Sequence, residues 1–139
     1  MLVLVDTPIW SLALRRTDTD LNPREQVLTA ALRELILDGR AQLVGPVRQE
    51  LLSGIRQKTS FKKLRDQLRA FEEPRFEVAD YEEAAHINHE CRSQGIAGSA
   101  IDFLICAAAL RRSWQIFTTD RHFTRYAAVV PVKLYHAGL

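Results

Sequence analysis

The chain reads as an α/β protein in which helices sandwich a mainly parallel sheet of five strands. Three observations predict this. Short β-prone apolar runs alternate with segments of helical periodicity from one end of the chain to the other. The first run, Leu2 to Val5, is continuously apolar rather than alternating, the mark of a strand covered on both faces. The connections are short, and no repeat, linker or low-complexity tract interrupts the pattern.

The first strand, Leu2–Val5, gives way at Asp6-Thr7 to Pro8, which suits the first turn of a helix, where its missing N–H is not needed. Ile9, Leu12 and Ala13 continue that helix to about Arg15, and Thr17 to Leu21 reads as a loop. Asn22-Pro23-Arg24-Glu25 supplies an N-cap, a first-turn proline and a glutamate in capping-box order. The helix it opens, with Val27, Leu28, Ala31, Leu32, Leu35 and Ile36 on its apolar face, ends at Asp38-Gly39. Ala41 to Val44 is a strand, Gly45-Pro46 a turn, and Val47 to Ile55 a helix closed near Gly54. Ser60 to Phe71 forms a basic amphipathic helix that Pro74 terminates. Phe76 to Val78 reads as a brief third strand. Asp80 with Glu83 caps a helix that runs to about Gln94 and stops at Gly95. Gly98-Ser99 opens a strongly apolar helix from Ala100 to Leu110. Gln115 to Thr118 is a strand, Asp120 to Tyr126 a short helix, and Val129 to Tyr135 a last strand interrupted by Pro131.

A length of 139 residues fits one domain, 1–139, able to bury a sizeable core without disulfides or a structural metal. With 47% hydrophobic and 26% charged residues the composition is that of an ordinary soluble protein. No apolar run approaches the roughly 20 residues a membrane-spanning helix needs. The apolar start lacks a basic leader and is cut short by Asp6, so it reads as a strand rather than a signal peptide, and a cytoplasmic protein is expected. Cys91 and Cys106 lie in two helical segments with no zinc-type spacing, and are expected to be reduced and buried. A net charge of +2 neither demands nor excludes a polyanionic partner. The run from Arg56 to Arg75, with Lys58, Lys62, Lys63, Arg65 and Arg69, is either a phosphate-contacting face or a solvated helix surface.

In an open parallel sheet, ligands bind beyond the carboxyl ends of the strands. Asp6 directly follows the first strand, and Asp120 stands two residues after Thr118. Each also reads as a plain helix cap. Asp102 sits near the start of a helix that is apolar almost all round, where an unpaired buried carboxylate is costly, although the helix dipole offsets part of that cost. Glu50 lies inside its helix beside Leu51 and Leu52, with a salt bridge to Arg48 or Arg56 as its ordinary role. Four carboxylates from separate units, gathered at one sheet edge, repel one another unless a cation neutralises them. Hard oxygen donors in that number select Mg²⁺ or Mn²⁺ over zinc, and such an ion suits phosphodiester hydrolysis by an activated water.

Rival constellations are poorer. His86 and His89 have metal-like spacing with no second ligand pair, and read as a solvated or interface helix face. Asp6-Thr7-Pro8 lacks the second aspartate usual in aspartyl phosphatases. No P-loop is present, and neither Ser53 nor Ser99 sits in a GxSxG elbow.

Four segments in order resemble the PIN-domain nucleases, specifically the VapC-type toxins of toxin–antitoxin pairs: Val5-Asp6-Thr7-Pro8-Ile9-Trp10, Val47-Arg48-Gln49-Glu50-Leu51-Leu52-Ser53-Gly54, Ile101-Asp102-Phe103-Leu104-Ile105-Cys106-Ala107-Ala108 and Thr118-Thr119-Asp120-Arg121-His122-Phe123. The likeness spans Leu2 to about Leu134. It implies a three-layer α/β/α sandwich, a Mg²⁺ or Mn²⁺ ion and endonucleolytic cleavage of RNA. Asp6, Glu50 and Asp102 carry over as the core carboxylates and Asp120 as the fourth and most variable, with Thr118 and Ser99 assisting by hydrogen bonds. Pro8 departs from the pattern, since many relatives have serine or asparagine there; the departure removes a group able to order a metal-bound water. The resemblance further implies a homodimer and a VapB-type antitoxin that inserts near the active site, often with a basic side chain meeting the carboxylates. A non-catalytic PIN-like module that only binds RNA or assembles with a partner is the alternative function.

Overall fold

The computed structural model describes residues 1–15 and 18–138, with the side chains of residues 15 and 18 outside that description. Four strands form one sheet among the described residues: β1 (Val3–Val5), β2 (Ala41–Gln42), β3 (Gln115–Phe117) and β4 (Lys133–Leu134), in the order β2-β1-β3-β4. Every pairing is parallel, with Leu4 of β1 opposite both Gln42 and Ile116. Val3, Leu4 and Val5 are all 0% exposed. Because successive strand residues point to opposite faces, this requires cover on both sides of β1, as its unbroken apolar run predicts. The chain leaves β1 for β2 at one edge and then crosses back to β3 on the other side of β1. The direction of winding therefore reverses between β1 and β3, the switch point at which such sheets bind ligands.

The helices are α1 (Thr7–Arg15), α2 (Pro23–Leu37), α3 (Gly45–Ser53), α4 (Lys58–Leu68), α5 (Val78–Ser93), α6 (Ala100–Arg112) and α7 (His122–Ala127), with a 3₁₀ turn at Asp18–Asp20. Local chemistry accounts for their starts. Asn22 accepts from the Glu25 N–H at 2.8 Å while the Glu25 carboxylate accepts from the Asn22 N–H at 3.1 Å, the reciprocal box that opens α2. Ser99 caps α6 by accepting from the Asp102 N–H. α6 buries Phe103, Ile105, Cys106 and three consecutive alanines, and the small side chains let α5 lie close along it. α1 is tied back to the sheet by the Trp10 indole N–H, which donates to the Val5 carbonyl at 2.9 Å. That bond fixes the turn carrying Asp6.

The sheet has four strands rather than five because the residues before α5 form none. Pro74 cannot supply a ladder N–H, and the Glu77 N–H donates to the Asp80 carboxylate at 2.7 Å, starting a helix at Val78 instead. The cap of α5 is thus Glu77, three residues ahead of the expected Asp80. β4 shrinks to Lys133–Leu134 for a related reason: the Val129 and Val130 N–H groups donate back to the Tyr126 carbonyl as α7 winds off, and Pro131 breaks the run again one residue later. β2 stops at Gln42 because the Val44 carbonyl already accepts from Val47 and Arg48 at the head of α3. α4 begins at Lys58 and ends at Leu68, two residues before the expected start and three before the expected stop, while α6 runs on to Arg112. The expected Thr17–Leu21 loop begins outside the described residues, and its remainder contains the 3₁₀ turn. Cys91 and Cys106 are free and buried.

Candidate active site

Asp6 continues β1 by one residue, its N–H donating to the Phe117 carbonyl at 2.9 Å. At 5% exposure it is nearly enclosed. One carboxylate oxygen accepts from the Thr7 N–H at 2.9 Å and the other from the Thr118 hydroxyl at 2.7 Å. Burial pushes its pKa from 3.8 up to about 6; the bonds from Thr118 and Thr7 oppose that rise, and the charges of Glu50 and Asp102 add to it. The enclosed carboxylate and its two acidic neighbours therefore form one electrostatic unit.

Glu50 projects from α3 and is exposed, accepting a hydrogen bond from the Thr7 hydroxyl at 3.1 Å. Asp102 occupies the first turn of α6, half-buried, where the Tyr126 hydroxyl donates to its Oδ2 at 2.7 Å. Glu50 and Asp102 line a shared depression with Gln49, Ser53 and Ser99. Tyr126 reaches Asp102 from a site that is 1% exposed, against the rings of Phe103 and Phe123. A Cβ on residue 98 would stand 2.6 Å from both that hydroxyl and the Phe103 ring, so only glycine permits the approach. Burial and the Asp102 carboxylate both hold the tyrosine's proton in place, which keeps it a donor.

Asp120 lies on the other side of Asp6. Its N–H donates to the Thr118 hydroxyl at 3.0 Å, so one hydroxyl links the two aspartates. Its Oδ1 accepts from the His122 N–H at 2.9 Å and meets the His122 ring at 2.7 Å. Asp120 lines a separate cleft of about 620 Å³, together with Pro8, Thr118 and Arg121. The structure thus brings Asp6, Glu50 and Asp102 into electrostatic contact and joins Asp120 to them through Thr118.

Two readings from sequence shift. Capping and site roles coexist at Asp6, which accepts from the first N–H of α1, whereas α7 is capped by Arg121 and Asp120 stands one residue before that cap, accepting from the His122 N–H. Asp102, singled out as an unpaired buried acid, is half-buried and paired with Tyr126, whereas Asp6 carries the burial penalty. Thr7 and Tyr126 were missed. The available signal for Tyr126 was a tyrosine three residues after Phe123 on an apolar helix face, since a buried hydroxyl needs a partner. Asp80 has a different role: it is 0% exposed and bonded to Arg111 and Arg112 at 2.7 Å, locking α5 to α6. His86 and His89 are exposed, and His86 lies 4.0 Å from Glu90, as the solvated reading expects.

The donor chemistry fits a hard cation, since the groups at this edge are carboxylate and hydroxyl oxygens. Among the described residues no three Asp, Glu, His or Cys side chains close into a ready cage. An ion here would be held by one or two carboxylates directly and otherwise through water, the manner of Mg²⁺.

The PIN domain family model matches residues 3–129. No curated protein sequence matches the chain. Among solved structures, FitAcB from Neisseria gonorrhoeae is similar at 22% identity and TM-score 0.77, with 98% of each chain covered. VapBC2 from Rickettsia felis, bound to a DNA fragment from its promoter, matches at 17% identity and TM-score 0.76, covering 97% of this chain and 98% of that one. VapBC-1 from nontypeable Haemophilus influenzae matches at 13% identity and TM-score 0.73 over 100% of both chains. These likenesses share the fold, and the matched model takes in Asp6, Glu50, Asp102 and Asp120 together. The chain belongs to the PIN domain family.

Proposed function

We propose that this protein is a divalent-metal-dependent endoribonuclease acting as the toxin of a toxin–antitoxin pair, with Asp6, Glu50, Asp102 and Asp120 as its metal-binding and catalytic residues. The observation that carries the reading is Asp6: a carboxylate enclosed at the switch point of a parallel sheet, with its pKa raised by burial and by two further acids. Nothing in a structural role requires that arrangement, and a bound cation relieves it.

Asp6, Glu50 and Asp102 would hold Mg²⁺ or Mn²⁺, with Asp120 adjusting the site through Thr118. When bound, the ion polarises the phosphoryl oxygen and lowers the pKa of a water. The chain's own groups do the positioning. Thr118 and the Thr7 N–H fix both oxygens of Asp6, Tyr126 fixes one oxygen of Asp102, and Ser99 holds the turn from which Asp102 projects. Glu50, exposed and steadied by Thr7, faces the solvent from which water and RNA arrive. Pro8 offers no side-chain donor.

A VapB-type antitoxin and a homodimeric state complete the proposal, in line with the motif resemblance and with the fold shared with FitAcB and VapBC2. The acidic depression suits an inserted arginine, whose charge replaces that of the ion. RNA digestion tests the enzyme assignment: cleavage at discrete positions is expected with Mg²⁺ or Mn²⁺ and none with EDTA, and EDTA-resistant cutting would refute it. Expression of the chain alone should arrest growth, and Asp6→Asn should relieve the arrest.

A further inference from the structure

The acidic centre has two flanks of different character. On one lies the depression lined by Glu50, Asp102 and Ser99; on the other lies the larger cleft lined by Asp120, Arg24, Arg121, Tyr135 and His136. Asp6 links them through its contacts, since its partner Thr118 lines the cleft while Thr7, its neighbour, bonds Glu50 of the depression.

That flank holds two acids, Glu25 and Asp120, and two arginines left unpaired among the described residues. Arg24 and Arg121 are both exposed, and among the described residues neither has a carboxylate within ion-pair distance. The two acids beside them are occupied: Glu25 accepts from the Asn22 N–H, and Asp120 meets the His122 ring. Arg24 stands in the first turn of α2, where a cation is disfavoured by the helix dipole and a negative ligand favoured. By contrast, the arginines along the α5–α6 seam are tied to Asp80, and Arg65 is tied to Asp66.

We infer that this cleft is the seat of the RNA backbone on one side of the scissile bond, with Arg24 and Arg121 each holding a phosphate and His136 adding a third donor. The inference rests on the nuclease reading and supplies its substrate-holding residues. Two guanidiniums with free donors match phosphodiester oxygens in geometry and charge. Their position beside Asp120 places the held phosphates next to the reacting one, so they orient the strand without touching the bond that breaks.

The test measures binding of a single-stranded RNA to wild type and to the Arg24→Gln/Arg121→Gln double variant, in EDTA to prevent cleavage, across a salt series. Cleavage rates with Mg²⁺ are measured in parallel, with Arg92→Gln, which lines neither depression, as the control. The double variant should bind about tenfold or more weakly, with a salt slope reduced by about 0.7 for each arginine. Its KM should rise while kcat stays near wild type, and Arg92→Gln should leave all of these unchanged. Wild-type affinity and salt slope in the double variant, with normal cleavage, overturn the cleft assignment and leave the nuclease reading standing. Loss of binding in the double variant of a protein whose wild type never cleaves RNA overturns the nuclease reading and leaves the cleft as a phosphate-backbone site.

Discussion

At pH 7 and without metal, Asp6 is held as an anion where anions are disfavoured, inside the sheet edge and facing Glu50 and Asp102. Its folded pKa of about 6 exceeds the ordinary 3.8, so the folded state retains a proton that the unfolded chain has lost between those values. Stability contributed at this residue therefore falls as pH rises from about 4 to 6 and stays low above that. Asp6→Asn should raise metal-free stability at pH 7 by about 1–3 kcal/mol, and the gain should vanish near pH 4; urea denaturation at both pH values checks it. Asp80 behaves in the opposite sense. Hydrogen bonds from Arg112, opposed by burial and reinforced by the Glu77 N–H and Arg111, hold its carboxyl far below the usual range. The stability it contributes is complete above the ordinary value of 3.8 and is lost only as pH falls through the depressed one. Asp80→Ala strands two arginines against the α5–α6 seam and should cost about 3–5 kcal/mol at pH 7, without altering metal binding at Asp6. Equal melting of wild type and Asp80→Ala would refute the seam's importance.

At the scale of elements, strand ends and helix starts decide where the chemistry sits. β1 and β3 are each only three residues long, yet their parallel pairing puts Asp6 beside Thr118, which is 112 positions away in the sequence. α3 and α6 then deliver Glu50 and Asp102, and α7 supplies the tyrosine that steadies Asp102. Tyr126→Phe removes only that hydroxyl. It should weaken Mg²⁺ binding several-fold, measured by calorimetry, while losing about 1–2 kcal/mol of stability. Unchanged metal affinity would make Tyr126 purely structural. α6 ends on Ser113, whose φ of 58° lies in the left-handed region that favours glycine. Ser113→Gly should stabilise by about 0.5–1 kcal/mol, read as a raised Tm. Much at this scale was legible in the sequence: the Asn22 box, the Ser99 cap and the Gly54 stop each arise from local chemistry. The failures share one cause. The Phe76–Val78 run looks β-prone, but a backbone N–H that finds the Asp80 carboxylate starts a helix, and periodicity does not register a hydrogen bond. The last strand shrank because Tyr126 took its first two amides.

For the whole molecule, the sheet order explains how Asp6, Glu50 and Asp102, scattered along the chain, come to act on one another, with Asp120 joined to Asp6 through Thr118. The continuous apolar run of β1 announced a central strand, and the switch-point rule then marked Asp6 and the Thr118–Asp120 turn. What sequence could not rank was burial. The apolar surroundings of Asp102 suggested the deepest acid, yet α6 turns that residue toward Tyr126 and a surface depression, while Asp6 lies enclosed. Tyr126 and Thr7 escaped notice because their partners are distant in sequence and their own neighbours are ordinary. In the proposed enzyme, Asp6 and Asp102 act together as the seat of the catalytic cation. The direct measurement is Mg²⁺-dependent RNA cleavage by wild type, Asp6→Asn and Asp102→Asn, with folding verified by circular dichroism. Both variants should stay folded and lose cleavage by at least about a hundredfold, with Asp6→Asn melting above the metal-free wild type. Full activity in either folded variant would contradict a shared cation seat at these two aspartates.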